Sequence, residues 1–325
     1  MMSVTVSVII PTFNRARLLG EAIDSCLRQD IEGLEVIVVD DASADVTGAV
    51  LERYGDQIVA IRVPEKIGVN GARNLGINAA RGEFLKFLDS DDVLVDGALA
   101  EEVRIAQEHR ADIVVSGWGE VHLDTGGNAV PGTRREFPAP TMEPLVDAIL
   151  AGRAVPTGAG LYRRIYVCNL RWEHEPEKLD DWNWFCRAAL RNGRIVSRAR
   201  GIAYWWRHHP GPRITDVSLH ANAVAHHHVL GKIEAILEQR GELTAKRSRR
   251  LAQYYYKELR VLKRFDAERF EWALRHIFEL DPEFVPVDEE HSTAIRLLSR
   301  ALGVRRTLAL YGAAKAVEAR FRGSA

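Results

Sequence analysis

Three carboxylates fall within four positions at Asp89-Ser90-Asp91-Asp92, directly after the short apolar run Phe84 to Leu88. A run of that length bounded by polar residues predicts a buried strand, which delivers the carboxylates together at its carboxyl end. In open α/β sheets that edge is where ligands bind. Side chains alternate along an extended segment, so Asp89 and Asp91 are expected on one face, where they could share a hard divalent cation and the diphosphate it carries. A strand end followed by a helix capped by Asp92 or Asp96 would use the same residues for structure alone.

A second group begins at Asp180-Asp181, the acidic N-terminal end of an amphipathic stretch from Glu177 to Leu190. Acids in a first turn are what the helix dipole favours. Trp182, Trp184 and Phe185 follow at once, an aromatic neighbourhood that suits a sugar-binding cleft as well as a core. Ile202 to Trp206 predicts a strand that runs into Arg207-His208-His209, where a histidine could ligate a metal, contact a phosphate or serve structure. Nearer the N-terminus, Phe13 could stack on a nucleobase or simply pack. Carboxylates at Asp40-Asp41 could accept hydrogen from the imide edge of uracil or the amino group of another base, and Asp45 suits an N-cap. Arg73, near a helix start, could reach a base or phosphate, or lie in a surface salt bridge.

The elements that must hold these residues alternate. Val4 to Ile10 reads as a strand that stops at Pro11, Leu19 to Leu27 as a helix, Leu34 to Val39 as the second strand, 46–54 as a helix and Ile58 to Val63 as the third strand. A small-residue helix around Ala72 to Ala79 leads into the 84–92 stretch, and a helix through Leu99 to Ala106 precedes a strand at Asp112 to Ser116. This alternation predicts a parallel sheet with both faces covered. Residues 118–138, with Gly126-Gly127-Asn128 between alternating segments, predict a hairpin excursion. From about residue 213 the pattern turns purely helical: Val224 to Arg240, Lys246 to Arg264, Ala267 to Leu280, and Thr293 to Phe321 with breaks. Consecutive His226, His227 and His228 point in three directions around a helix and cannot close on one ion, so they are expected at the surface. Arg305 to Arg322 reads as a basic amphipathic helix that could lie on anionic lipid or pack on a partner.

At 325 residues, 46% hydrophobic and 27% charged, the chain has the composition of a globular protein with a substantial core. Its formal charge of -1 hides an asymmetry: residues 1–212 carry 24 Lys+Arg against 30 Asp+Glu, a balance of -6, and 213–325 carry 20 against 15, a balance of +5. Cys26, Cys168 and Cys186 are far apart, which predicts reduced thiols and neither a disulfide framework nor a metal knuckle. No basic leader and no stretch near the ~20 apolar residues of a membrane span are present, so a cytoplasmic setting is expected. The loop after the first strand lacks both the G-x-G-x-x-G of dinucleotide folds and the Walker lysine loop. A phosphatase using D-x-D chemistry would carry its carboxylates at the end of that first strand, and a nucleotidyltransferase would want a glycine-rich loop there. A catalytically silent nucleotide-binding module remains a competing reading.

Four segments taken together, Val6 to Arg15, Val38 to Ser43, Gly71 to Gly76 and Phe87 to Asp92, resemble in order and spacing the family 2 glycosyltransferases of GT-A fold. The likeness covers about residues 1–210 and fades beyond. It implies an α/β fold with a Rossmann-like, mostly parallel sheet and helices on both faces, in a catalytic domain over 1–212, followed by a helical appendage over 213–325. It also implies inverting transfer from a nucleoside diphosphate sugar, UDP first, with manganese or magnesium, to a hydroxyl of a glycan, lipid-linked or small-molecule acceptor. On matching positions, Pro11, Thr12, Phe13, Arg15, Asp41, Arg73, Asp89 and Ser90 would bind the nucleotide, Asp89 reaching the ribose or diphosphate. Asp91 and His209 would hold the metal, Arg207 and His209 would close over the diphosphate, and Asp181 would be the acceptor-activating base. Peripheral membrane contact or homo-oligomerisation would fall to the C-terminal helices, and nucleic acid is not an expected partner. Two departures stand out: Asp180 replaces the family's customary glutamate, and Pro210-Gly211-Pro212 stands where a more flexible serine-containing loop is common.

Overall fold

The computed structural model describes residues 4–140, 145–150, 155–173, 179–210, 218–286 and 303. Its elements in chain order are β1 Val6–Thr12, α1 Ala16–Leu27, β2 Leu34–Asp40, α2 Thr47–Tyr54, β3 Val59–Arg62, α3 Gly68–Ala79, β4 Phe84–Phe87, β5 Val93–Leu94, α4 Ala98–Glu108, β6 Ile113–His122, β7 Arg135–Phe137, α5 Leu145–Leu150, β8 Gly160–Arg163, α6 Arg164–Val167, α7 Asp180–Ala189, β9 Ile195–His208, α8 Leu219–Gln239, α9 Ala245–Phe265 and α10 Ala267–Leu280. The described residues fall into two compact units, one within 1–149 and 153–216, the other within 150–152 and 217–325.

The first unit is built on one sheet in the order β3-β2-β1-β4-β8-β6-β9-β5, with β7 paired to β6. β1, β2, β3 and β4 run parallel. The sheet is mostly parallel as expected, with an interruption: β8 enters between β4 and β6 and is antiparallel to both. Local periodicity carries no information about which distant strand inserts, so alternation predicted strand and helix types but not this neighbour. The 118–138 hairpin forms as expected, Trp118 opposite Phe137. β9 is far longer than its apolar stretch predicts, running beside β6 through two register shifts.

β1 does not stop before Pro11 but runs through it to Thr12. The Asp41 amide donates to Thr12 O and the Leu88 amide to Ile9 O, so residues 10 and 12 face β2 while 9 and 11 face β4. The β4 ladder ends at Ile9 opposite Phe87. Pro11 therefore lacks its N–H on the side where no strand remains to receive it. The apolar stripe of α1, Leu18, Leu19, Ala22, Ile23 and Cys26, is buried as its period predicts. α3 lies close on β1: a Cβ at Gly76 would stand 2.3 Å from Ile9 Cγ2, so only glycine fits. That contact seats the helix one turn from Arg73.

β4 is buried on both faces and contains a cation. Lys86 is fully buried, donates to both carboxylate oxygens of Glu102 on α4 at 2.9 and 2.8 Å, and Glu102 also accepts from Ser116 Oγ on β6 at 2.7 Å.

The second unit contains α8, α9 and α10. Their starts are capped by Ser218, Thr244 and Asp266, which accept from the amides of Ala221, Arg247 and Arg269. Leu230, Ile233, Leu237, Leu251, Leu259 and Ile277 are among its buried core. The surface expectation for the three histidines fails at His227, which is 3% exposed and meets Tyr255 edge to face at 5.0 Å. His226 pairs with Glu258 at 3.0 Å and His228 is exposed. Consecutive helical positions do diverge, and one of the three directions is inward. The segments at Thr293 to Phe321 and Arg305 to Arg322 lie outside the described residues. Among the described residues no helix is long and apolar enough to cross a membrane.

Candidate active site

β4 ends at Phe87, and Asp89 to Asp92 form a turn closed by the Asp92 amide donating to Asp89 O at 3.0 Å. The alternation expected for Asp89 and Asp91 is therefore absent, because the segment is not extended. The turn sends the three carboxylates in different directions. Asp89 Oδ1 accepts from Arg73 Nη2 at 2.9 Å, and Asp91 Oδ2 lies 2.9 Å from His209 Nε2. Asp92, buried, accepts from the Arg207 amide at 2.8 Å. Neither Asp92 nor Asp96 caps α4, whose N-cap is Gly97 in the left-handed region. Burial, with Asp91 and Asp89 beside it, pushes the Asp92 carboxyl well up, against the pull of the Arg207 amide.

Asp92 is a residue that sequence reading gave to a cap, yet it ties the end of β9 to the turn after β4. Arg207 adds to the tie. Its guanidinium is buried, donates to Asp91 O and pairs with Glu21 of α1. Glu21 carried no signal in the sequence beyond its charge. His209 is thus held against Asp91 by Arg207 two residues earlier.

Arg73 is neither a surface ion pair nor free. Only 4% exposed, it donates to Asp89, to Asp180 Oδ2 at 2.8 Å and to Asn70 Oδ1 at 3.3 Å, lies 3.5 Å from Asp181 Oδ1, and rests 4.2 Å over the Trp172 ring. Trp172 is stacked on Trp184 at 5.0 Å, and both meet Phe87 edge to face. Trp182, Trp184 and Phe185 are all buried, so the aromatic run after Asp181 forms core beneath the acids and not a cleft wall.

Asp180 and Asp181 open α7 after Leu179, a bulky residue at φ 60°. That conformation is costly for a side chain with a Cβ. Asp181 keeps about two-fifths of its side-chain surface, although its Oδ1 is shut off from solvent without a hydrogen-bond partner. Burial pushes its carboxyl up to about 7, Asp180 and Asp89 adding to the rise and Arg73 opposing it.

Of the remaining predicted residues, all but Ser90 lie at or just past the ends of β1 and β2. Asp41, buried, accepts from the Ile67 amide at 2.6 Å and the Gly68 amide at 3.0 Å, so it anchors the start of α3. Phe13 is exposed, with Lys66 Nζ 3.9 Å over its ring. Thr12 is buried, its Oγ1 without a partner, Pro11 is buried in β1, and Ser90 is buried in the turn. The N-cap of α2 is Val46 and not Asp45, which stands one residue earlier and accepts from the Thr47 amide at 2.9 Å. Arg15 lines a cavity of about 570 Å³ with Arg17, Asp124, Thr125 and Pro210, which touches the acidic cluster's residues only at His209.

Asp91 Oδ2 and His209 Nε2 lie 2.9 Å apart, and the carboxylate oxygen is the donor of the two that suits manganese or magnesium. Among the described residues no group of three His, Cys, Asp or Glu could hold an ion alone. The pair fits a metal whose remaining ligands come from a diphosphate and water.

The Staphylococcus aureus TarS crystal structure in complex with UDP-GlcNAc superposes with a TM-score of 0.66 at 22% identity, covering 94% of this chain and 89% of that one, which shows a shared fold. The GalNAc(5)-diNAcBac-PP-undecaprenol beta-1,3-glucosyltransferase of Campylobacter jejuni is 42% identical over 126 residues, 38% of this chain and 40% of its own. The succinoglycan biosynthesis protein ExoO of Rhizobium meliloti is 38% identical over 120 residues, 37% of this chain and 34% of its own. The chain thus spans two-fifths or less of the length of these two relatives. The model of glycosyl transferase family 2 matches residues 7–170, from β1 through the acidic turn to the strand that inserts beside it. With half the chain under that match and the α/β GT-A architecture in place, the protein belongs to glycosyl transferase family 2.

Proposed function

We propose that the chain transfers a glycosyl group, with inversion, from a nucleoside diphosphate sugar to an acceptor hydroxyl. The observation that carries this is the pairing, across Arg73, of the carboxylate turn after β4 with the second acid group Asp180-Asp181, the Asp181 carboxyl being pushed up by its surroundings. Asp91 and His209 would hold a divalent metal, which when bound neutralises the charge that develops on the leaving diphosphate. Arg207 keeps His209 and Asp91 together. Phe13 stacks the base, Thr12 and Ser90 border the nucleotide, and the unused acceptor capacity of Asp41 takes the imide hydrogen of uracil, which favours UDP. Asp181 takes the proton of the acceptor hydroxyl. A pKa near 7 suits that task, since a base poised at the working pH gains about 10² to 10⁴ in rate.

The relatives' names, a glucosyltransferase acting on an undecaprenyl diphosphate-linked glycan and a succinoglycan biosynthesis protein, support a glycan or lipid-linked acceptor in polysaccharide or glycoconjugate synthesis. In this reading the catalytic domain ends near residue 212, and the helical remainder serves acceptor recruitment, association or contact with the cytoplasmic membrane face. A mass-spectrometric screen of nucleoside diphosphate sugars for hydrolysis or transfer, with and without manganese, tests it. Turnover of a UDP-sugar that needs the metal is expected. Nucleotide binding without turnover of any donor would leave a silent binding module, and phosphate release from simple esters would favour the phosphatase.

A further inference from the structure

We infer that Arg73 is a positioning residue for the acceptor-side base, holding Asp181 through the Asp180 pair, and not a nucleoside contact; this rests on Asp181 being the base. Arg73 is 107 positions from Asp180 and 16 from Asp89, so three separate elements, α3, the turn after β4 and the start of α7, meet on one guanidinium. Its two terminal nitrogens are spent on that meeting. Nη1 donates to Asp180 and Asn70, and Nη2 donates to Asp89 and faces Asp181 Oδ1. With the flat face over Trp172 and 4% exposure, the one donor left without a hydrogen-bond partner, Nε, is buried and shut off from solvent.

The same arrangement explains why an aspartate serves at position 180. Arg73 is fixed by the indole and by Asp89, so a short carboxylate at the helix start reaches it at 2.8 Å. Asp181, the next residue, is then carried to 3.5 Å from the other nitrogen, with Leu179 already bent to a positive φ to start the helix there. The charged and titratable groups around Asp181 are Arg73 from α3, Asp89 from the turn, Asp180 from its own helix, Tyr162 from β8 and Tyr204 from β9. Thr157 also bonds here, donating to the Asp181 carbonyl at 3.2 Å. Of these only Arg73 is a cation, and it is the largest influence opposing the burial and the acidic neighbours that hold the proton on Asp181, with Thr157 adding to it.

The opposed charges of Arg73 and Asp180 give a test that a merely structural role would not satisfy. Full-length wild type, Arg73→Met, Arg73→Lys, Asp180→Asn and Asp181→Asn are compared for hydrolysis of the donor selected above, water being the acceptor, across about pH 5.5 to 9. UDP affinity with manganese is measured by calorimetry on the same samples. Removing the cation is expected to move the acid limb of the rate profile up by about one pH unit or more, and removing the Asp180 charge to move it down. Arg73→Lys should stay near the wild-type profile, and UDP affinity should stay within about threefold throughout. Unmoved limbs, or limbs that move the same way, would overturn the inference. So would an Arg73→Met protein that loses UDP affinity by tenfold or more with its limb in place, the signature of a nucleoside contact. If Arg73→Met does not fold, Asp180→Asn decides, since an unmoved limb there is enough to overturn the proposal. A fully active Asp181→Asn protein would remove the base reading itself and this inference with it, whereas an inactive one with unmoved limbs elsewhere removes the inference alone.

Discussion

The proposed function divides the chemistry between Asp91 and Asp181, and each assignment predicts a different loss. Asp91→Ala removes one hard oxygen from a two-residue ligand pair, so manganese should no longer strengthen UDP binding. Calorimetry with and without the metal reads this, and an undiminished metal effect would contradict the assignment. Asp181→Asn keeps shape but cannot take a proton, so transfer should fall by about 10² or more while UDP affinity holds. A purely structural Asp181 would cost only about 0.3 to 1 kcal/mol of stability and leave turnover per folded molecule intact. The sign of the pH effect follows from the raised carboxyl. As a base Asp181 must be ionised, so in wild type the rate should climb with pH through about 7. Asp91, His209 and Asp181 could be singled out in the sequence because motif order and spacing depend on near neighbours. The tie from Arg207 to Glu21, and the burial of Arg73 among acids, were not, because each depends on a partner more than 100 positions away.

Two elements carry buried titratable groups that their sequences did not announce. Lys86 sits in a strand that is buried on both faces, and its pairing with Glu102 ties β4 to α4 immediately before the acidic turn. Lys86→Met strands a carboxylate in the core and should cost about 3 to 5 kcal/mol in chemical denaturation. Adding Glu102→Leu should recover most of that loss, since an apolar pair replaces an ionic one at little net cost. In α8, burial lowers the His227 imidazole from 6.5 to about 4. Between those values the unfolded chain binds more protons than the folded one, so helical stability should decline as pH falls from 6.5 to 4. The full effect is on the order of 2 to 3 kcal/mol. His276 is raised by Glu234 and Glu279 and works the other way, its contribution being present in acid and lost as pH rises through its folded value. Circular dichroism melts of wild type and His227→Phe across this range separate them, because the variant should lose the acid-side decline.

At the scale of the whole molecule the chain resolves into a sheet-based unit and a helical one, each with its own buried core. A chain truncated after Asp216 should keep UDP binding and some donor hydrolysis while losing acceptor transfer, association or membrane attachment. An insoluble truncation beside a full-length monomer indifferent to anionic lipid would make the helices part of the fold's support. The sequence by itself determined the alternation of strand and helix, the β2 and β4 ends that carry the acids, the turn to helices after 213 and the family, because local period and short motifs depend on near neighbours. Only the tertiary structure decided that β8 inserts beside β4, that Pro11 is accommodated in β1, that Asp89 to Asp92 form a turn, and that Trp182, Trp184 and Phe185 are core. Each of these rests on which distant segment supplies the hydrogen bond, the ring or the countercharge, and that choice is made only when the chain closes on itself.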